Sequence, residues 1–286
     1  MGKNKAIAFD LDGTLFNSLS VSVYALEEGF REFKSKTGYK GRIPTWQETR
    51  KYIGLPSYEF YSLLLAKDFR DRWSLLHESV QKAEKRHLAK GQGHVFPGVH
   101  EVLGKLKADG WALGCLSNAS SGYFNAIMDE CHLRNYFEKF RWLGQDYLTD
   151  KSMVLKEWVR EWDADETLFY AGDRANDIEA AHNAGLEGVG VGHGYGGRDE
   201  LFNAEAIIDA FSDFMFVLTS NDRLVWRIAD TLAGLYGEER QNVIENDKKI
   251  DETIFNGVIL ELKRRGMLNE SANVKNISEL KSGMKK

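Results

Sequence analysis

The chain has 286 residues, enough for about two domains, and a hydrophobic content of 43% excludes global disorder. With 38 basic and 43 acidic side chains the formal net charge is −5, so the chain lacks the basic surface that a sequence-independent nucleic-acid binder needs. The low number of cysteines, two, excludes a disulfide scaffold and favours a reducing, cytoplasmic compartment. No apolar run approaches the roughly 18 residues that cross a bilayer, so no membrane partner is expected.

Short apolar runs recur along the chain, and each is followed by a polar turn and a helical pattern. This alternation predicts a parallel sheet with helices on both faces, which is a Rossmann-like, three-layer α/β core. The predicted strands are residues 6–9, 111–116, 168–171, 189–191 and 206–208.

The first two runs lie too far apart for a single crossover connection, which predicts an inserted second domain. The insertion has apolar residues at helical spacing, with one stripe that includes Leu26 and Phe30 and another within residues 57–69. Residues 53–56, Ile-Gly-Leu-Pro, predict a loop between these helices. The insertion is therefore expected to form a small helical cap.

Beyond about residue 216 the alternation of strand and helix stops, and a helical C-terminal extension is predicted. Its apolar stripes are Val225, Ile228, Leu232 and Leu235 in one helix, and Ile250, Ile254, Val258 and Leu262 in another. The predicted division is a core domain of residues 1–16 and 95–216, a cap domain of residues 17–94 and an extension of residues 217–286.

A pair of aspartates follows the first predicted strand directly, in the run Asp10-Leu11-Asp12-Gly13-Thr14. Residues two apart on a strand point to the same side, so both carboxylates can face one cleft. Ligand sites in open parallel sheets lie at the carboxyl ends of strands, which is where this pair falls. The alternative is an Asx-turn that only closes the strand.

A second acidic run, Gly-Asp-Arg-Ala-Asn-Asp at residues 172–177, follows the third predicted strand. Asp173 is expected at the strand end, with Asp177 one helical turn onward. Mg²⁺ prefers carboxylate and water oxygens and usually takes one or two protein carboxylates. A helix N-cap would explain one of these aspartates, but not acidic strand ends at two places in one sheet. The two runs together indicate a divalent metal site.

Two weaker features accompany the acidic runs. Ser117 and Asn118 follow the second predicted strand, where a hydroxyl, an amide and exposed backbone N–H groups suit a phosphate. Lys151 lies in a turn before a helical segment. Alone, Ser-Asn is ordinary turn chemistry and a single lysine usually faces solvent, so both features depend on the acidic runs for their interpretation.

In this order, the four elements resemble the four motifs of the haloacid dehalogenase-like (HAD) superfamily, over residues 5–216. The chain is most similar to the phosphoglycolate phosphatase-like branch with a small helical cap. Three further segments carry that similarity: residues 53–56, residues 96–99 (Phe-Pro-Gly-Val) and residues 192–196 (Gly-His-Gly-Tyr-Gly).

The resemblance implies a role for each motif residue. Asp10 would be the nucleophile that forms an aspartyl-phosphate, and Asp12 would be the general acid and then the base that activates water. Asp10, the backbone carbonyl of Asp12 and Asp173 would bind Mg²⁺. Asp177 would lie in the water shell of the metal. The residues that would hold the substrate phosphoryl group are Thr14, Ser117, Asn118 and Lys151.

One departure concerns the lysine. The family usually has proline after it, whereas this chain has Ser152, which makes Lys156 a second candidate. A positive group at this place has a clear physical purpose. A carboxylate can attack a phosphate dianion only if the like charges are offset, which a divalent cation and a lysine can do.

The leading hypothesis is therefore a Mg²⁺-dependent phosphatase of a small phosphorylated metabolite, such as phosphoglycolate or a sugar phosphate. A phosphomutase of the β-phosphoglucomutase type would use the same residues and differ in how its cap excludes water. A third hypothesis is a scaffolding or regulatory module that works through residues 217–286, by binding a partner or forming a homo-oligomer.

The residues that select the substrate are the least defined by the sequence. Arg50, Lys51 and Tyr58 flank the predicted cap loop and are the candidates. Residues 192–197 match the Gly-x-Gly-x-x-Gly dinucleotide pattern, but no acidic residue follows at the expected distance on a second strand. We interpret them as a loop near the cleft.

Overall fold

The computed structural model describes residues 5–144, 150–162, 167–232, 252–269 and 271. Its strands are β1 (Lys5–Phe9), β2 (Phe16–Asn17), β3 (His94–Val95), β4 (Ala112–Ser117), β5 (Lys139–Trp142), β6 (Thr167–Gly172), β7 (Glu187–Val191) and β8 (Ala206–Ile208). Its α-helices are α1 (Leu19–Thr37), α2 (Trp46–Arg50), α3 (Ser57–Leu64), α4 (Trp73–Ala89), α5 (Val99–Ala108), α6 (Ser121–Glu130), α7 (Lys151–Trp162), α8 (Ala175–Asn183), α9 (Ser220–Leu232) and α10 (Glu252–Arg264).

A six-stranded sheet in the order β5-β4-β1-β6-β7-β8 forms the centre of the molecule, and all its neighbouring strands run parallel. Five of these strands lie where the sequence predicts them. The prediction missed β5, an edge strand whose lysine and arginine alternate with partly buried aromatic residues. Edge strands of this kind lack the continuous apolar run that identifies a buried parallel strand.

Both faces of the sheet are covered, which explains the apolar strands. Alternate residues of β1 point to opposite faces: Ile7 and Phe9 belong to one apolar cluster, and Ala6 and Ala8 to another. Helices α5 and α6 contribute to the first cluster, and α7 and α8 to the second. The Rossmann-like three-layer core predicted from the alternation is confirmed.

The insertion after β2 is helical, as expected. Helices α1 and α4 pack closely, and Gly29 lies so near Val80 that a Cβ added there would meet the Val80 Cγ2 atom at 2.4 Å. The prediction of one stripe over residues 57–69 was too long, because α3 ends at Leu64 and a short 3₁₀ helix, Lys67–Arg72, follows. Tyr52 to Pro56 form turns, as the glycine and proline indicate.

An antiparallel pair, β2 with β3, joins the two ends of the helical insertion. Phe16 pairs with Val95 and Asn17 with His94. This ribbon lies where the sequence predicts the junctions between core and cap. The division into domains itself stays a prediction.

Helices α9 and α10 pack on each other, and α9 packs on the core at the β8 edge of the sheet. The Trp226 indole N–H donates to the Ile207 carbonyl at 2.7 Å, and the Arg223 guanidinium lies 4.7 Å from the centre of the Phe169 ring. The predicted apolar stripe of α9 packs on α10 instead, where Ile228 and Val225 lie in one cluster with Ile254, Val258 and Leu262. Leu235 and Ile250 of the predicted stripes lie outside the described residues. Among the described helices, none combines the length and apolar character needed to cross a membrane.

Candidate active site

Three of the predicted site segments meet because of the strand order. Phe9, at the end of β1, pairs with Cys115 of β4 and Ala171 of β6. The residues that follow these strands therefore emerge side by side at one edge of the sheet. The chain leaves β1 toward β4 on one side and later returns to β6 on the other, and such a reversal of strand order leaves a crevice for a ligand.

The turn after β1 is shaped by Gly13. Its φ of +83° belongs to the left-handed region, and a Cβ at this position would lie 2.3 Å from the Asp173 Oδ2 atom. Only glycine allows both the turn and this close approach. The turn thereby brings the Asp10 segment against the segment that follows β6.

A cluster of buried carboxylates lies at this edge. Asp10, Asp173 and Asp177 each offer a carboxylate oxygen, and these oxygens all lie within 4.8 Å of one another. The Lys151 ammonium group donates to Asp10 Oδ1 and to Asp177 Oδ1, both at 2.6 Å. Asp173 Oδ1 is buried and has no hydrogen-bond partner among the described residues. This set of oxygens, with one oxygen unpartnered, fits a divalent cation.

The charges of the cluster are out of balance without a cation. Burial, with the charge of Asp177, raises the pKa of Asp173 to about 7. Burial also raises the pKa of Asp10, against the opposing effect of the Lys151 charge. For Lys151, burial favours the neutral amine, but the two carboxylates outweigh it and the pKa rises. The cluster therefore contains three carboxyl groups and a single ammonium group. If all three are ionised, a divalent cation would make the total charge zero.

Asp12 is not part of this cluster of carboxylate oxygens. Its Oδ1 atom accepts hydrogen bonds from the Ser18 hydroxyl and, at 2.9 Å, from the Tyr123 hydroxyl. Burial raises the pKa of Asp12 in spite of these hydrogen bonds. A carboxyl group with a raised pKa can keep a proton and later release it, as a general acid and base must.

The candidates for phosphoryl binding lie around Asp10 and Asp12. Ser117 is buried at the end of β4, and the Thr14 hydroxyl is buried without a partner among the described residues. Lys151 lies in the cluster, whereas the second candidate, Lys156, is exposed on α7. Asn118 makes a contact that the sequence did not predict, because its amide donates to the Gly54 carbonyl of the cap loop at 2.8 Å.

The glycine-rich loop after β7 packs against Asp173. The Tyr195 N–H donates to Asp173 Oδ2 at 2.6 Å. A Cβ at Gly194 would lie 2.2 Å from the Asp173 Cβ atom, and one at Gly196 would lie 2.1 Å from the Asp173 carbonyl oxygen. The glycines thus allow a close backbone approach to a site carboxylate, and the loop lies near the cleft as predicted.

Residues 7–191 match the family model described as haloacid dehalogenase-like hydrolase. The chain belongs to the haloacid dehalogenase-like hydrolase family. The four motifs therefore indicated the correct family, and the predicted enzyme class, a HAD-like phosphoric monoester hydrolase, is confirmed.

Relatives of the hydrolase include a phosphoglycolate phosphatase of Vibrio parahaemolyticus, which is 27% identical over 231 residues, 75% of this chain and 96% of that protein. A probable phosphatase, IndB, of Dickeya dadantii is 28% identical over 215 residues, 72% of this chain and 90% of that protein. The crystal structure of CbbY from Rhodobacter sphaeroides in complex with phosphate has a TM-score of 0.62 at 20% identity, covering 75% of this chain and 96% of that one. The shared fold is thus found over most of the relative's length.

A cavity of about 90 Å³ lies between the site of the hydrolase and its cap. Its floor is formed by Asp10, Asp12 and Ser117, and its cap side includes His77 and Glu84. The residues that line it are Asp10, Asp12, Ser18, Ser22, Ile53, Gly54, Leu55, Ser57, Phe60, Tyr61, His77, Glu84, Ser117, Asn118, Ala119, Ser120 and Tyr123.

The cap residues of this lining differ from the sequence candidates. Arg50, Lys51 and Tyr58 do not line the cavity. His77 and Glu84 were missed, although a signal for Glu84 exists: it is a charged residue at a buried position of the apolar stripe of α4. A carboxylate on the buried stripe of an amphipathic helix has to face either a partner or a cavity.

The cap loop is held over the cavity from the core side. The Arg174 guanidinium donates to the Ile53 carbonyl at 2.8 Å and to Glu200 at 2.9 Å. Together with the bond from Asn118 to Gly54, this contact fixes the loop across the cleft. Hydrogen bonds from two core residues therefore hold the cap loop next to the cavity.

Proposed function

We propose that the protein is a Mg²⁺-dependent phosphatase of a small phosphate monoester and that it works through an aspartyl-phosphate. The observation that carries this proposal is the place of the Asp10 carboxylate. It lies beside the Lys151 ammonium group, within 4.8 Å of other buried carboxylate oxygens, and forms part of the cavity floor. A nucleophile needs this combination of access to the substrate and offset charge.

Asp10, Asp173 and the backbone carbonyl of Asp12 would hold the metal, with Asp177 interacting through water. The unpartnered Asp173 Oδ1 atom supports this assignment. When bound, Mg²⁺ offsets negative charge on the carboxylates and on the phosphoryl oxygens. Lys151 keeps Asp10 and Asp177 in place through its two hydrogen bonds.

In the first step, a carboxylate oxygen of Asp10 attacks the phosphorus atom and the ester oxygen leaves. Asp12 donates a proton to that leaving oxygen, for which its raised pKa is suited. In the second step, Asp12 accepts a proton from water, which attacks the phosphorus atom and releases phosphate from Asp10. Thr14, Ser117, Asn118 and Lys151 are the proposed partners of the phosphoryl oxygens.

The small cavity supports a small substrate, and relatives of the chain are named as phosphoglycolate phosphatases. The test is a panel of phosphorylated metabolites and para-nitrophenyl phosphate, assayed with Mg²⁺ and with a chelator. We expect hydrolysis that requires Mg²⁺ and that falls by at least about 10³-fold in Asp10→Asn. Hydrolysis that survives chelation or the substitution would contradict the proposal, and transfer of the phosphoryl group to a second sugar hydroxyl would identify a mutase.

A further inference from the structure

Glu84 is a buried acidic residue whose purpose the proposed reaction does not explain. It lies on α4, only 7% of its surface is exposed, and it lines the cap side of the cavity. Among the described residues it has no hydrogen-bond or ion-pair partner. Burial, with the nearby charge of Asp12, raises its pKa to about 8. A buried carboxyl group in this situation gains free energy when a cation or a donor arrives.

The neighbours of Glu84 in the cavity are aromatic and hydroxyl-bearing side chains. Phe60, Tyr61 and Tyr123 are among the residues that line it, and so is Ser22. Burial lowers the pKa of His77, which favours its neutral imidazole form. Aromatic rings beside a carboxylate are the environment that binds an ammonium group, through ion pairing and cation–π attraction.

The part of this wall that the structure describes carries no positive side chain. No lysine or arginine of the described residues lines the cavity. The ammonium group of Lys151 is already bonded to two aspartates beneath the floor. A carboxylate on the substrate would therefore be buried beside the carboxyl groups of Asp12 and Glu84 without a positive partner, which is unfavourable.

We propose that Glu84 is a specificity-determining residue that binds an ammonium group on the alcohol part of the substrate, so that the preferred substrates are phosphate esters of small amino alcohols. The inference rests on the proposed phosphatase function and adds the substrate class to it. The phosphoryl group would lie at Asp10 and the ammonium group at Glu84. The cavity of about 90 Å³ limits the link between them to a short one.

Three esters of nearly equal size test this preference. O-phosphoethanolamine and 2-hydroxyethyl phosphate differ in a terminal ammonium or hydroxyl group, and 2-phosphoglycolate carries a carboxylate in place of the hydroxymethyl group. We expect kcat/KM to fall in that order, by about tenfold or more from the first ester to the last. Equal values, or a higher kcat/KM for the hydroxyl or carboxylate ester, would overturn the proposal.

The variant Glu84→Gln keeps the shape and removes the charge. We expect it to lower kcat/KM for O-phosphoethanolamine by about tenfold or more, and to leave the value for 2-hydroxyethyl phosphate within about threefold, because that ester carries no cation. Glu59→Gln removes the same charge from the exposed side of α3 and is expected to change neither value. A uniform loss for all three esters in Glu84→Gln would contradict a role in selection.

Binding separates this inference from the proposed function. The dissociation constants of the three esters for the Asp10→Asn protein, measured by calorimetry in the presence of Mg²⁺, report the preference without turnover. Tightest binding of O-phosphoethanolamine, lost in Asp10→Asn/Glu84→Gln, supports Glu84 as the ammonium site even if hydrolysis fails. Tightest binding of 2-phosphoglycolate overturns it even if hydrolysis proceeds.

Discussion

At the scale of single residues, the site is defined by carboxyl groups whose ionisation is costly. Asp173 illustrates this: burial and the charge of Asp177 raise its pKa to about 7, and its Oδ1 atom has no partner among the described residues. At pH 8 without a cation, the charged form therefore destabilises the folded state. A bound divalent cation would remove that cost.

Asp173→Asn should therefore separate metal binding from folding. We expect Mg²⁺ at a hundredfold excess over its dissociation constant to raise the melting temperature of the wild-type protein by roughly 5 °C or more. The variant should melt higher than the wild type without Mg²⁺ at pH 8 and respond little to the metal. Asp109→Asn, at the exposed end of α5, serves as control and should respond like the wild type. A full response to Mg²⁺ in Asp173→Asn would exclude this residue as a ligand.

Glu84 gives the protein a predictable dependence of stability on pH. Its pKa is about 8 in the folded protein against the ordinary value of 4.5, so the folded state holds a proton that the unfolded state releases between these values. The stability that this proton contributes is complete below the lower value and is lost as the pH rises through the upper one.

The difference in unfolding free energy between Glu84→Gln and the wild type should therefore grow in favour of the variant from about pH 5 to pH 8. It should level off above about pH 9, near roughly 3 to 6 kcal/mol. Urea denaturation at several pH values measures it. A difference that does not change with pH would show that Glu84 ionises in the folded protein as it does in the unfolded chain. Glu59→Gln should stay within about 0.5 kcal/mol of the wild type throughout.

At the scale of elements, the loop after β7 holds the residue that follows β6. Because a Cβ at Gly194 would lie 2.2 Å from the Asp173 Cβ atom, Gly194→Ala must displace one of the two segments. We expect a loss of stability of about 1 to 3 kcal/mol and a weaker response to Mg²⁺.

Gly197→Ala is the matched control in the same loop. A Cβ at Gly197 would meet nothing nearer than 4.0 Å, and its backbone, at φ −84° and ψ 160°, suits alanine. Thermal melts with and without Mg²⁺ compare the two variants. If both respond to the metal like the wild type, the close approach of the loop does not position Asp173.

Strands and motif residues could be predicted because their signals are local. A buried parallel strand is a short apolar run, and the polar residues after it are carried to the same edge by the strand order. Asp10, Asp173 and Asp177 were found in this way. Lys151 follows no predicted strand and was singled out only together with them, and the structure brings all four together.

The cap residues could not be predicted by the same means. The helical period shows that α4 has a buried stripe but does not show which part of the stripe meets α1 and which part meets the cavity. Glu84 and His77 lie on that stripe. Their place depends on how the cap closes over the sheet, which is set by contacts such as Asn118 with Gly54 that connect residues far apart in sequence.

At the scale of the whole molecule, α9 packs against the core. Trp226 is 3% exposed and donates to the Ile207 carbonyl of β8. We expect the described parts to unfold in one transition and Trp226→Ala to lower the free energy of unfolding by about 3 kcal/mol, from lost burial and an unpaired carbonyl. Leu260→Ala, at a side chain that is 71% exposed on α10, should cost no more than about 0.5 kcal/mol.

Two transitions would contradict this expectation if the first involved only the extension and Trp226→Ala left the second unchanged. The extension would then fold separately from the core. The homo-oligomer predicted through residues 217–286 stays a prediction. Sedimentation of the same two variants tests it, since association through the exposed face of α10 would weaken in Leu260→Ala.

If Asp10 carries the phosphoryl group during turnover, mass spectrometry of the acid-quenched enzyme detects that group on the chain. The protein is mixed with Mg²⁺ and a hydrolysed ester, quenched within the first turnover and digested. We expect one phosphoryl group on the peptide that contains Asp10, sensitive to hydroxylamine and absent from Asp10→Asn. Turnover without any phosphorylated peptide, or a phosphoryl group on a different residue, would contradict it.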